Sequence, residues 1–130
     1  MKKTNGFTVI EVIFVAVLVG LASILFFVQK NTIEVIARDD KRKIAINAMY
    51  YGLEEVYYKT NKYYPQTISS NNLKSVDPDL FTDMNGIKIG EAGSEYTYTP
   101  VDCTSNKCKS YSLKTTLENE SDYIKTSVND

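Results

Sequence analysis

The chain has no histidine and only two cysteines, Cys103 and Cys108. A structural zinc site takes four ligands drawn mostly from those residue types, so the supply of donors excludes one. The cysteines stand five positions apart, and the Cys-x-x-Cys spacing of a redox pair is absent. There is no glycine-rich phosphate loop and no imidazole to activate a nucleophile, so nothing assembles a catalytic constellation. Adjacent acids such as Glu54 and Glu55 would point apart on a helix. The expectation is a protein that is not an enzyme and uses no cofactor and no metal. Proline is scarce as well, with three in all and none between Phe7 and Tyr64. An excess of charge of either sign is missing too: the net charge is −1, and it becomes slightly more acidic if Lys2 and Lys3 are removed. Such a balance gives no general pull toward nucleic acid or anionic lipid.

What the chain does have is one long apolar run. From Phe7 to Val28 the only charge is Glu11, and otherwise only Thr8, Gly20 and Ser23 interrupt Phe, Val, Ile, Leu and Ala. About 20 apolar residues suffice to cross a bilayer as a helix. A carboxylate in such a segment costs roughly 2.5–3.5 kcal/mol at the helix centre and less near an end. Glu11 therefore calls for a positive partner. Lys2 and Lys3 ahead of the run place the N-terminus in the cytoplasm by the positive-inside rule, and the remainder outside the membrane. A cut between Gly6 and Phe7 would keep the apolar segment and free an α-amine on Phe7, which is mostly cationic at neutral pH. Glu11 lies four residues later on the same helical face, so a neighbouring copy slid along the axis could bring its own amine beside it.

The junction Gly6-Phe7-Thr8-Val9-Ile10-Glu11-Val12 resembles the leader junction of type IV pilins and of the pseudopilins of type II secretion systems. The resemblance implies that a prepilin peptidase cuts after Gly6 and N-methylates Phe7, and that Glu11 serves as the assembly carboxylate. It also implies a homopolymeric helical filament with related minor pilins, an inner-membrane assembly platform and its ATPase machinery. Gly20 matches the family's mid-segment glycine. Many members carry a proline late in the apolar segment, where this chain has Val28. Two other readings compete. In a conventional signal peptide, Lys2 and Lys3 would be the basic region and Gly20-Leu21-Ala22 the cleavage site. That reading puts Glu11 in the signal core and leaves Ile24–Val28 as a sticky new terminus. A plain uncleaved signal anchor is the other.

Beyond Val28, apolar residues recur at Ile33, Ile36, Ala37, Ile44, Ala48, Met49, Leu53, Val56 and Tyr57, close to one helical face. Asn47, Tyr51, Glu54 and Tyr58 fall on the other side. The block Arg38–Lys43 reads as a solvated stretch in which Asp39 and Asp40 pair locally with Arg38, Arg42 or Lys43. Its functional alternative is salt bridging between subunits. A helix from Phe7 to about Thr60 would be roughly 80 Å long. The segment Asn61-Lys62-Tyr63-Tyr64-Pro65 ends it, because proline biases Tyr64 out of the helical region and asparagine is a ready terminator. This stretch, with Tyr57 to Thr60 before it, also resembles the helix exit of pilins.

Residues 66–85 read as loop, with a short helical turn between Val76 and Phe81. Asp77, Asp79, Asp83 and Asn85 raise a calcium reading, but their spacing fits no EF-hand loop, and turn chemistry with an N-cap accounts for them. From Gly86 the pattern alternates: Ile87–Ile89, Tyr96–Thr99 and Tyr111–Leu117 read as half-buried antiparallel strands, with a short last strand at Tyr123–Ser127. In an exported chain, two cysteines five apart in a hairpin loop should form a disulfide. A C-terminal bridge agrees with the pilin resemblance. The ten tyrosines include the pairs Tyr50-Tyr51, Tyr57-Tyr58 and Tyr63-Tyr64. One of each pair should pack on the sheet and the other face outward; stacking on single-stranded nucleic acid is the alternative, and the mildly acidic head weighs against it.

The expected fold is α+β and pilin-like: a long N-terminal helix, about 7–60, packed on a C-terminal antiparallel sheet of three or four strands. Residues 1–6 would be leader, 7–28 the transmembrane and polymerisation helix, and 29–130 the head. The head divides into helix at 29–62, loop at 63–85 and sheet at 86–130. The expected function is a structural subunit of a surface filament, anchored in the inner membrane before assembly and extracellular after it. A secretion pseudopilin and a monomeric membrane-anchored binding protein are the alternatives, and no specific nucleic-acid partner is expected.

Overall fold

A computed structural model of the chain describes residues 6–129. Of the expected leader, only Gly6 lies among them, and Lys2 and Lys3 fall outside. Packing divides the chain into two units with the boundary at Ile36 and Ala37.

The first unit is helical. Helix α1 runs over Val9–Tyr51, starting two residues after Phe7 because Thr8 is spent as its cap. Side chains from Val9 to Val28 are exposed throughout. The polar interruptions are met within the helix itself: Ser23 Oγ donates to the Val19 carbonyl at 2.8 Å and Thr32 Oγ1 to the Val28 carbonyl at 3.2 Å. The helical run continues to Asn61 and has a mean hydropathy of 2.8 in its most apolar window. It is long and apolar enough to cross a membrane.

The second unit packs the rest of this helix on a small antiparallel sheet. After α1 the chain widens into a π turn over Gly52–Tyr58 and closes with a short α2 at Lys59–Asn61. The left-handed stop is Lys62, at φ 64°, and not Asn61, whose side-chain amide instead donates to the Tyr57 carbonyl at 2.9 Å. The widening occurs where Gly52 presses on the following loop. A Cβ there would stand 2.5 Å from Val76 Cγ2.

The buried face of the helix also differs from the expected stripe. Met49 and Leu53 of that stripe are inside, joined by Arg42, Ala45 and Ile46 from beside it, whereas Ile33, Ile36, Ile44 and Val56 are exposed. Apolar residues were abundant enough on both sides to trace either stripe; the sheet's position selects one. Each large aliphatic side chain fully buried there contributes about 1.5–3 kcal/mol. The extra residue of the π turn shifts the helical phase, so Leu53 and Glu54 are both buried and Tyr57 and Tyr58 are both half-buried. The other pairs divide as expected, Tyr64 inward of Tyr63 and Tyr50 inward of Tyr51.

Four strands form the sheet: β1 at Tyr64–Pro65, β2 at Tyr96–Thr104, β3 at Lys107–Thr115 and β4 at Tyr123–Thr126. All pairings are antiparallel. β3 is central, with β2 along one side and β1 and β4 sharing the other. Tyr111, Leu113 and Thr115 alternate inward along β3 onto the helix, with Tyr64 and Tyr96 from its neighbours. Ile68, Leu73, Val76, Phe81 and Ile89 complete the core from the loop. Two expectations are corrected. β1 falls in what read as helix exit and loop, because Pro65 needs no amide partner at a sheet edge. Ile87–Ile89 is no strand: Gly86 and Gly90 adopt φ of 81° and 88°, and between those turns only one bridge forms, Thr82 to Lys88.

Candidate functional site

The N-terminal junction begins with Gly6 and Phe7, both exposed and ahead of the helix. Thr8 is followed three residues later by Glu11, and the two form a capping box. Glu11 Oε2 accepts from the Thr8 backbone N–H at 2.7 Å and from its hydroxyl at 2.9 Å. In return the Glu11 N–H donates to Thr8 Oγ1 at 3.4 Å. The carboxylate expected to need a partner thus has one within its own chain. The Thr-x-x-Glu signature of this cap stands in the sequence at Thr8 and Glu11.

Within the second unit, the block read as solvated is divided: Asp40 and Lys41 are exposed, but Asp39 and Arg42 belong to a buried charge cluster. Arg42 is only 6 % exposed and Asp39 3 %. The guanidinium donates from Nε and Nη2 to both oxygens of Glu95, at 3.0 and 2.9 Å. Its Nη1 donates to Asp39 at 2.9 Å and to Glu118 at 2.8 Å. Asp39 also accepts from the Glu118 and Asn119 backbone amides. Glu118 is gripped a second time by Arg38, and Lys43 pairs with Glu120 at 2.7 Å. Of the expected local pairings, Asp39–Arg42 forms at 2.9 Å. The other partners sit in the sheet half of the chain, so helix α1 is fastened to the segments flanking β2 and β3.

The electrostatics follow from this geometry. Hydrogen bonds to Glu95, then those to Glu118 and Asp39, outweigh burial and hold the Arg42 guanidinium more firmly protonated than usual. Burial pushes the Asp39 carboxyl up, but the Glu118 and Asn119 amides and Arg42 outweigh it and hold it below its ordinary value. Arg38, then Arg42, draws Glu118 down to about 2. Asp83 behaves like Asp39: burial opposes ionisation, yet amides of Glu95, Ile87 and Asn85 prevail.

Those bonds also account for the residues behind the calcium reading. Asp77 caps the 3-10 turn Pro78–Phe81 by accepting from the Asp79 amide at 3.0 Å, and Asp83 is committed to three backbone amides. No cluster of three or more acidic, cysteine or histidine side chains suited to a metal occurs among the described residues.

Glu54 is a second buried carboxylate. It accepts from the Tyr64 and Tyr111 hydroxyls, the latter at 2.8 Å, and from Asn129 Nδ2 at 3.3 Å. Burial, with Glu54 beside it, pushes the Tyr64 phenol up to about 12. Neither this cluster nor that of Arg42 has a local sequence signal, because the partners are fifty or more residues away for most of its bonds.

Cys103 and Cys108 form a disulfide between facing positions of β2 and β3, with a Cα separation of 3.9 Å. The hairpin closes in two residues, Ser105 and Asn106, both with positive φ of 52° and 64°, the backbone of a type I′ turn. No protein-family model, curated protein or solved structure matches the chain.

Proposed function

We propose that the chain is a structural subunit of a type IV pilus-like surface filament. The observation that carries this reading is the junction Gly6-Phe7-Thr8-Val9-Ile10-Glu11 at the start of an exposed apolar helix, in one chain with an α+β head. A membrane peptidase would cut after Gly6 and methylate Phe7. The subunit would wait as a single-pass inner-membrane protein with its N-terminus in the cytoplasm, then polymerise through residues 7–28 with minor pilins and the platform and ATPase machinery. The disulfide-stapled hairpin favours a surface pilus over a secretion pseudopilus, since an exposed filament gains most from such a brace.

In this reading Glu11 changes partners. The capping box holds its charge in the monomer, and the Phe7 amine of a neighbour takes it over in the filament. Two substitutions separate capping from charge pairing. Glu11→Gln keeps the capping geometry, for which glutamine serves, but has no charge; Glu11→Ala loses both. Electron microscopy and shearing of surface material should show filaments lost in both variants while each chain remains in the membrane. Filaments at normal levels from Glu11→Ala would leave a monomeric anchored binding protein. Normal filaments from Glu11→Gln alone would reduce Glu11 to a cap.

A further inference from the structure

Next to the stapled hairpin lies an open cleft of about 360 Å³ that the filament reading does not use. Tyr57 and Tyr63 meet edge to face along it, with ring centroids 5.9 Å apart. Lys107 holds its ammonium 4.9 Å from the Tyr63 centroid. Gln66, Thr67 and Asn106 add amide and hydroxyl groups to the lining, and none of these side chains makes a hydrogen bond among the described residues. No carboxylate lines the cleft, and Lys107 has no ion-pair partner among the described residues.

The walls are preformed. The disulfide and the type I′ turn fix Asn106 and Lys107, and Pro65 pairs with Lys107 across the β1–β3 ladder. Asn72 ties the far wall by donating to the Thr67 carbonyl at 2.6 Å and accepting from the Ser69 amide at 2.9 Å. Aromatic rings beside unused planar amides and hydroxyls suit a ligand that is apolar on its faces and hydroxylated on its rim. The lack of acids disfavours cations, and one lysine admits a single negative charge. We propose that this cleft binds saccharides, with Lys107 favouring sugars that carry a carboxylate. The tyrosines supply apolar contact with the ring C–H groups, and Gln66, Thr67 and Asn106 bond the hydroxyls.

The test is an amide-shift NMR titration of the full chain in micelles of a zwitterionic detergent without a sugar headgroup. The probes are a glucuronate-containing disaccharide, lactose, inorganic phosphate and a short single-stranded DNA. Saturable shifts at Gln66, Thr67 and Asn106 are expected with both sugars, the acidic one binding about fivefold tighter, as an exposed ion pair allows. Lys107→Gln should abolish that preference by weakening the acidic sugar selectively. Tyr63→Leu should weaken both by about tenfold. Asn106→Asp retains the turn, since aspartate accepts positive φ, and should disfavour the acidic sugar selectively. A folded chain that shifts with neither sugar overturns the proposal, as does one whose binding ignores all three substitutions. Equal displacement by phosphate would reduce the site to a lone cation, and preferential binding of the DNA would assign it to another ligand class. The assay needs no filament, so its failure is separate from failure of the assembly reading.

Discussion

Replacing Arg42 by methionine probes the contact between helix α1 and the sheet half of the head. Four hydrogen bonds to three carboxylates would vanish at once, and the stem of the side chain would be kept in volume. What remains is Asp39, almost without access to water and supported only by the Glu118 and Asn119 amides, beside Glu95 and Glu118. Breaking a buried pair by removing one partner costs about 3–5 kcal/mol, because the other charge is left uncompensated. That is a large fraction of the roughly 5–15 kcal/mol that holds a domain together. Urea unfolding of the full chain in detergent micelles, followed by near-UV circular dichroism of the tyrosines, reads the loss as a lower midpoint at unchanged slope. Adding Asp39→Asn should recover part of it, since asparagine still accepts from the two amides without a buried charge. A loss for Arg42→Met below about 1 kcal/mol, the range of exposed pairs, would refute the view that this cluster is buried and structural.

The same cluster fixes the response to acid. Asp39, Asp83 and Glu118 all have folded values below their ordinary ones of 3.8, 3.8 and 4.5. Their stabilisation is therefore complete above about pH 4.5 and is lost as pH falls toward 2; a melting temperature that holds steady from pH 4.5 to 2 would contradict it. Gly52→Ala should cost about 1–3 kcal/mol, because its methyl would meet Val76 in a packed core. Pairing it with Val76→Ala should return much of the loss in a thermal melt. Reducing the disulfide, whose cysteines are five positions apart, should lower stability by about 2 kcal/mol, the low end set by a short loop, with the β2–β3 amides still protected in hydrogen exchange.

The sequence carried those features of the fold that rest on local pattern. The apolar run, the absence of proline, and the Tyr64-Pro65 exit together delimit a helical run that ends at Asn61, and period-two alternation finds part of β2, β3 and β4. Strand β2 runs on to Thr104 and β3 starts at Lys107, so the cysteines expected in the hairpin loop lie within the strands. The same local pattern fails where tertiary position decides. Both stripes of the helix are apolar, so only the sheet distinguishes Ala45 and Ile46 from Ile36 and Ile44. Arg42 reads as a surface charge because its acids, Glu95 and Glu118, lie more than fifty residues on. Glu54 looks polar and outward until the π turn rotates it beneath Tyr64 and Tyr111. At the N-terminal junction the positions of Gly6, Phe7 and Glu11 are legible from the motif, and so was the cap that Thr8 provides.

The most direct test of the filament account is the intact mass and N-terminal sequence of this chain recovered from sheared cell-surface material. The account predicts a chain that begins at N-methylated Phe7 and lacks two hydrogens at Cys103 and Cys108. A chain that begins at Met1 and is found only in membranes, or one that begins at Ser23 in the medium, would contradict it.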